Sequence, residues 1–133
     1  MKAIYFLLVV WLILSSSTCK KEGPDCHYKI IIENRSNAAV ILAVKGYMDG
    51  SCHLGKREDI LAGTKAALRI NSCWEQELSS GRTQELFIVD PGHFNPSGLN
   101  YHCDSIGHYN TILKSYVLTL EDLKNRNFAV TYP

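Results

Sequence analysis

The chain ends TILKSYVL at residues 111–118 and TLEDLKNRNFAVTYP at 119–133. The first run is rich in β-branched and aromatic residues and predicts a strand. Thr119 then stands as a helix N-cap, with Asp122 three residues on to complete a capping box. Glu121 and Asp122 suit the positive end of the helix, and Lys124 and Arg126 suit the negative end. Asn127 tolerates the left-handed conformation in which helices end. Phe128, Val130 and Tyr132 alternate, which predicts a last strand with those three side chains facing inward. The Glu121/Asp122 pair is therefore read as helix capping rather than acid–base chemistry.

Upstream the same period-two pattern recurs. His27 to Glu33 (HYKIIIE) is a strand with Tyr28, Ile30 and Ile32 on one face. Asn34-Arg35-Ser36-Asn37 is a turn, and Ala39 to Tyr47 reads as the return strand of a hairpin. Asn34-Arg35-Ser36 also matches a glycosylation sequon, but turn chemistry accounts for it. Met48 to Asp59 reads as an irregular loop around Cys52. Lys65 to Asn71 is a strand with Ala66, Leu68 and Ile70 on one face, and a Ser-Ser-Gly turn follows at 79–81. Glu85 to Asp90 (ELFIVD) is nearly continuous in apolar character and predicts a strand covered on both faces. Residues 91–110 show no periodicity. The expected fold is mainly β: a small antiparallel β-sandwich-like domain with one short C-terminal helix before the last strand.

The N-terminus is of another kind. Met1-Lys2 precedes an unbroken apolar run from Ala3 to Leu14, then Ser15-Ser16-Ser17-Thr18, Cys19 and Lys20-Lys21. As a helix, about 12 residues span about 18 Å, short of a hydrocarbon core of about 30 Å. The pattern is that of a secretory signal ending at a cysteine. It resembles a bacterial lipobox, with Ser16 and Thr18 where Leu and a smaller residue are usual, and the serine-rich box with Cys-Lys-Lys resembles those of Bacteroidetes lipoproteins. The resemblance implies cleavage before Cys19, a lipid on its sulfur and stable attachment through two or three acyl chains. The expected division is a signal peptide at 1–18, a lipidated tether at 19–25 and one domain at 26–133, in the cell envelope as an outer-membrane lipoprotein facing the periplasm or the surface.

Of the charged residues, the signal contains only Lys2, so processing takes the formal charge from +1 to zero. Without a basic excess, nucleic acid is not an expected partner. Of the five cysteines, lipidation of Cys19 leaves Cys26, Cys52, Cys73 and Cys103, an even set in an oxidising compartment, which predicts disulfides. A metal site is the rival reading, because Cys26-His27, Cys52-His53 and His102-Cys103 are adjacent pairs. No two of these ligands share a turn, however, and neighbours on a strand point to opposite faces. No metal and no cofactor is expected. No G-x-S-x-G, phosphate-binding loop or H-E-x-x-H occurs, so no catalytic residue is assigned and the chain is read as a non-enzyme.

Phe94, Tyr101 and Tyr109 give the 91–110 segment the aromatic content of a binding loop for a glycan or host ligand. The competing view makes them ordinary packing, with Cys103 stapling the loop, and Trp74 beside Cys73 is likewise read as core. Two classes of function stay open: an accessory or structural lipoprotein working through contacts with envelope proteins, and a carbohydrate- or host-ligand-binding module.

Residues 109–133 resemble the C-terminal end of small Bacteroides-type lipoproteins of uncharacterised function. Leu113-Lys114-Ser115-Tyr116, Leu118 to Leu123, Asn127-Phe128 and Tyr132-Pro133 match that pattern. Cys26-His27, Asn34 and Ser36, Cys73-Trp74-Glu75 and Leu86 to Asp90 match it more weakly. The resemblance implies a lipoprotein setting and carries over no catalytic residue. Where the family tends to carry Trp, before Asp104-Ser105-Ile106, this chain has Cys103. The resemblance therefore implies Cys52 as its partner and leaves Cys26 with Cys73.

Overall fold

A computed structural model describes residues 22–48, 51–93, 101–102 and 112–133. In chain order the elements are β1 (Lys29–Asn34), β2 (Val40–Met48), β3 (Ser51–Ile60), β4 (Lys65–Arg69), α1 (Trp74–Glu77), β5 (Gln84–Val89), β6 (Tyr101–His102), β7 (Ile112–Leu118), α2 (Leu120–Asn125) and β8 (Ala129–Tyr132). They form a three-stranded sheet, β4-β1-β8, and a five-stranded sheet, β6-β3-β2-β5-β7. Every pairing is antiparallel except β1 with β8, which is parallel. The fold is thus mainly β and sandwich-like, with a four-residue helix, α1, besides the expected C-terminal one.

Alternation fills the space between the sheets. Ile30 and Ile32 of β1, Ala66 and Leu68 of β4 and Val130 of β8 pack against Val40, Leu42 and Val44 of β2 and Leu86 and Ile88 of β5. Trp74, Leu78, Leu118, Leu123 and Phe128 join the same cluster, so Trp74 is core, as its place beside Cys73 predicts. Ile41, Ala43 and Val89, with Phe87 against them, form a second buried cluster. Their alternation with Leu42, Leu86 and Ile88 puts them on the other face of the sheet. This two-faced burial is what the continuous apolar run at 85–90 predicts.

Two expectations are corrected. The strands at 27–33 and 39–47 do not form a hairpin, because β1 and β2 lie in different sheets. The turn between them is a crossover, organised by the fully buried Asn34. Its side-chain nitrogen donates to the carbonyls of Ala38, Ile60 and Leu61 at 2.8, 3.1 and 3.2 Å. Its side-chain oxygen accepts from the Ser36 backbone N–H and hydroxyl at 3.0 and 2.7 Å.

The second correction concerns the expected irregular loop at 48–59, in which Ser51 to Asp59 belong to a strand, β3. β3 pairs with β2 over its whole length, from Met48 opposite Ser51 to Val40 opposite Ile60. Only Asp49-Gly50 connect the two strands, and Asp-Gly is among the preferred pairs for a two-residue hairpin. β3 is polar because it lies toward the outside of the sheet, with only β6 beyond it among the described residues. A register shift that leaves Arg57 unpaired further breaks the alternation on which sequence reading relies.

The C-terminal unit follows the sequence closely. The Thr119 hydroxyl accepts from the Asp122 backbone N–H at 3.1 Å, and the Thr119 backbone N–H donates to the Asp122 carboxylate at 3.0 Å. The bonds from the Thr119 backbone N–H and hydroxyl hold the Asp122 carboxyl below its usual value. Beyond α2, Asn127 and Phe128 both take positive φ, 50° and 54°, and turn the chain directly into β8. Such a conformation is strained for an aromatic residue and is held by its surroundings. Phe128 is buried, its N–H donates to the Leu123 carbonyl at 2.7 Å, and its carbonyl accepts from Ile31 at 2.8 Å.

Because Phe128 and Val130 are core residues, Phe128→Ala is expected to cost about 3–5 kcal/mol and Thr119→Ala about 1 kcal/mol in denaturant unfolding. Deleting residues 128–133 should abolish the cooperative transition altogether. A truncated chain that still unfolds cooperatively at the wild-type midpoint would show that β8 is dispensable.

Candidate functional site

The N-terminal approach to β1 and the start of α1 are joined covalently. Cys26 and Cys73, 47 residues apart, form a disulfide with Cα atoms 5.0 Å from each other. The residues beside them continue the join. The Trp74 backbone N–H donates to the His27 carbonyl at 2.8 Å, and the His27 backbone N–H donates to Glu75 Oε2 at 2.9 Å. The His27 ring completes the pairing, with Nδ1 2.6 Å from Glu75 Oε1. Cys26-His27 and Cys73-Trp74-Glu75 thus dock as two short matched strings.

The other side of the His27 ring lies flat on Phe128, with centroids 3.8 Å apart and planes inclined by 12°. The disulfide, the His–Glu pair and the left-handed turn after α2 are therefore one cluster. Burial pushes the Glu75 carboxyl up, but the bonds from the His27 backbone N–H and ring outweigh it and leave the group below its ordinary value. With Glu75 ionised, Nδ1 of His27 carries the shared proton, and Nε2 is the nitrogen left for other contacts.

A cleft opens beside this ring, lined by Pro24, His27, Lys124, Asn127 and Phe128. The Lys124 ammonium and Asn127 amide have no hydrogen-bond or ion-pair partner among the described residues, so the cleft offers one cation and one amide next to the imidazole. A second groove, over α1, is lined by Trp74 with Arg69, Asn71, Glu77 and Arg82. Arg82 is already occupied there by the Gln76 carbonyl at 2.8 Å. The buried Trp74 Nε1 has no acceptor among the described residues.

The residues singled out from the sequence are only partly placed. Cys26 and Cys73 are bridged. Cys19, Phe94, Cys103 and Tyr109 lie outside the described residues. Cys52 and Tyr101 are described by backbone alone, in β3 and in β6 opposite Leu54; their side chains lie outside the described set. Among the described residues no three His, Cys, Asp or Glu side chains are grouped to hold a metal ion. Nor is any described helix long and apolar enough to cross a membrane.

Sequence reading missed the His27–Glu75 pair and the Lys124/Asn127 cleft. The signal for the first was present, since each bridged cysteine carries its partner residue within two positions. The second had none, because only the fold brings the end of α2 beside residue 24. No protein-family model, curated protein or solved structure matches the chain.

Folding lowers the Glu75 carboxyl below the 4.5 of an unstructured chain. The ionised group therefore stabilises the fold above that pH, and the contribution is lost as pH falls through the lower folded value. Glu75→Gln is expected to cost about 1.5–3 kcal/mol at neutral pH, the range for hydrogen bonds to a charged group. It should also flatten the acid limb of a stability-versus-pH curve. Parallel curves for wild type and variant would show that the His27 contact is not coupled to folding.

Proposed function

We propose that this chain is a cell-envelope lipoprotein, held at the outer membrane by acyl chains on Cys19, that works through contacts with other envelope proteins and catalyses no reaction. The observation that carries the anchoring is the signal ending in Ser-Ser-Ser-Thr before Cys19, in a chain whose other cysteines number four. The motif at 109–133 supports membership of the small Bacteroides-type lipoproteins. Two features support a role through protein contacts. Leu113 and Val117 of β7 are 44 % and 63 % exposed. β7 is also an edge strand of the five-stranded sheet, paired only with β5 among the described residues. Exposed apolar side chains on a strand edge favour association with another chain.

Cys19→Ala tests the anchor. The variant is expected to accumulate as unprocessed precursor, without the mass of the acyl groups and outside the detergent phase that holds the wild type. Wild-type protein recovered with a free thiol at Cys19 would overturn the reading.

We also infer a second bridge, between Cys52 and Cys103. β6 lies antiparallel on β3 with Leu54 opposite Tyr101 and His53 opposite His102. Continued by one residue, that register would bring Cys103 opposite Cys52, and facing residues on antiparallel strands have the Cα separation a disulfide needs. Forming the bridge removes two protons and two electrons, which a thiol–disulfide oxidant of the compartment accepts. The non-reduced protein should then be four hydrogens lighter than the reduced chain. A difference of two would leave the Cys26–Cys73 bridge as the single one.

A further inference from the structure

We propose that the cleft formed by Pro24, His27, Lys124, Asn127 and Phe128 faces the membrane and seats the phosphate of a phospholipid headgroup. The inference rests on the lipoprotein reading and adds to it an orientation and a lipid contact. It starts from reach. Three peptide units separate Cys19 from Glu22 and five separate it from Pro24, distances of at most about 10 and about 17 Å in a fully extended chain. From Glu22 onward the chain is tied to the domain. Glu22 pairs with Lys29 at 3.0 Å, Gly23 and Cys26 exchange backbone hydrogen bonds at 3.1 and 3.2 Å, and Cys26 is bridged to Cys73. Pro24 is one wall of the cleft. An acylated Cys19 therefore keeps that wall within about 17 Å of the lipid attachment, while the headgroup layer of one leaflet is itself about 5–8 Å deep.

The charge of this end agrees with the position. Lys20 and Lys21 precede Glu22, and Lys124 stands in the cleft. Of the acids near this end, Glu22 is matched by Lys29 and Glu75 by His27, and the sequence sets Lys20, Lys21 and Lys124 against Asp25 and Glu121. The donors fit a phosphate. The Lys124 ammonium supplies charge, the Asn127 amide supplies a directed N–H, and His27 Nε2 supplies a third donor whenever the ring is protonated. Glu75 holds the ring from behind, and stacking on Phe128 fixes its plane.

The test uses the acylated full-length protein in vesicles of phosphatidylcholine with one-third phosphatidylglycerol. It follows, by mass spectrometry, acylation of individual lysines by a membrane-impermeant amine reagent. Lys65, opposite Glu33 at the far end of β1, is the internal control. Lys124 is expected to react about fivefold more slowly in vesicles than in detergent, the scale of one lysine at an anionic surface, with Lys65 unchanged. A (Gly-Ser)5 insertion between Lys21 and Glu22 relaxes the tether. Protection of Lys124 that persists in part would support a seat with its own affinity, and protection that falls to the Lys65 level would show tethering alone and overturn the seat. Equal reactivity of Lys124 and Lys65 in the uninserted protein would overturn the orientation. Protection by inorganic phosphate without vesicles would reassign the cleft to a free ion. Absence of acyl groups in the intact mass, read before reconstitution, would remove the lipoprotein reading itself.

Discussion

Asn34 is the constraint around which the two sheets are assembled. A buried amide without partners costs several kcal/mol, so its surroundings must be built to satisfy it. Here its side chain reaches the start of β2 through Ala38 and the end of β3 through Ile60 and Leu61. Its backbone N–H donates to Thr64 just before β4, and β8 pairs alongside it at Tyr132. Ends of five strands thus converge on one residue, through its side chain and its backbone, and both sheets depend on it for their relative placement. Apolar alternation alone would bury Ile30 and Ile32 equally well in a simple hairpin. The buried amide favours the crossover, because only there are carbonyls from β3 within its reach. The nearby sequon is in this light a turn and a core contact.

The opposite end of β1 is held by different means. There the chain enters from residue 22, and there the last helix delivers the chain into β8. The Cys26–Cys73 bridge closes a loop of 47 residues and, in the chain-entropy account, stabilises by about 4 kcal/mol. The His27–Glu75 bonds and the His27–Phe128 stack carry that closure across to the turn after α2. Phe128 holds a positive φ that few aromatic residues adopt, and the ring beneath it explains how the strain is tolerated. The first and last strands then pair in parallel, which no short connection could have arranged. The bridge and the left-handed turn are two parts of one solution to joining the chain ends.

How much of this was legible in the residues depends on the range of the interaction. α2 and its cap were readable, because Thr119 and Asp122 interact over one turn. The double-faced burial of β5 was readable from ELFIVD. The β1–β2 hairpin was misread because a Ser/Asn-rich turn is the same locally whether the chain stays in its sheet or leaves it, and the deciding bonds reach residues 60 and 61. β3 was misread because its polar outer position and a bulge removed the period-two signal, although Asp49-Gly50 carried the turn chemistry. At the site, the cysteines were recognisable as cross-links, and Glu75 was adjacent to one of them. The meeting of Pro24 with Lys124 and Asn127 joins positions some hundred residues apart, and such a contact has no local signature.

On the lipoprotein reading, the position of the disulfide acquires a mechanical logic. A domain tied to lipid at Cys19 experiences every displacement of the membrane through the few residues before its first strand. Pulling there would peel β1 from its N-terminal end, starting with Lys29 against Arg69. β1 is the central strand of the small sheet, so its loss would expose both β4 and β8. Cys26 lies between the anchor and that first rung, and its bond passes the load to Cys73, at the entrance to α1 beside the buried Trp74. Force applied at the N-terminus is thereby delivered to the core as well as to the hydrogen bonds of β1. A bridge further along the chain would close a similar loop entropy but would leave the first rungs unprotected.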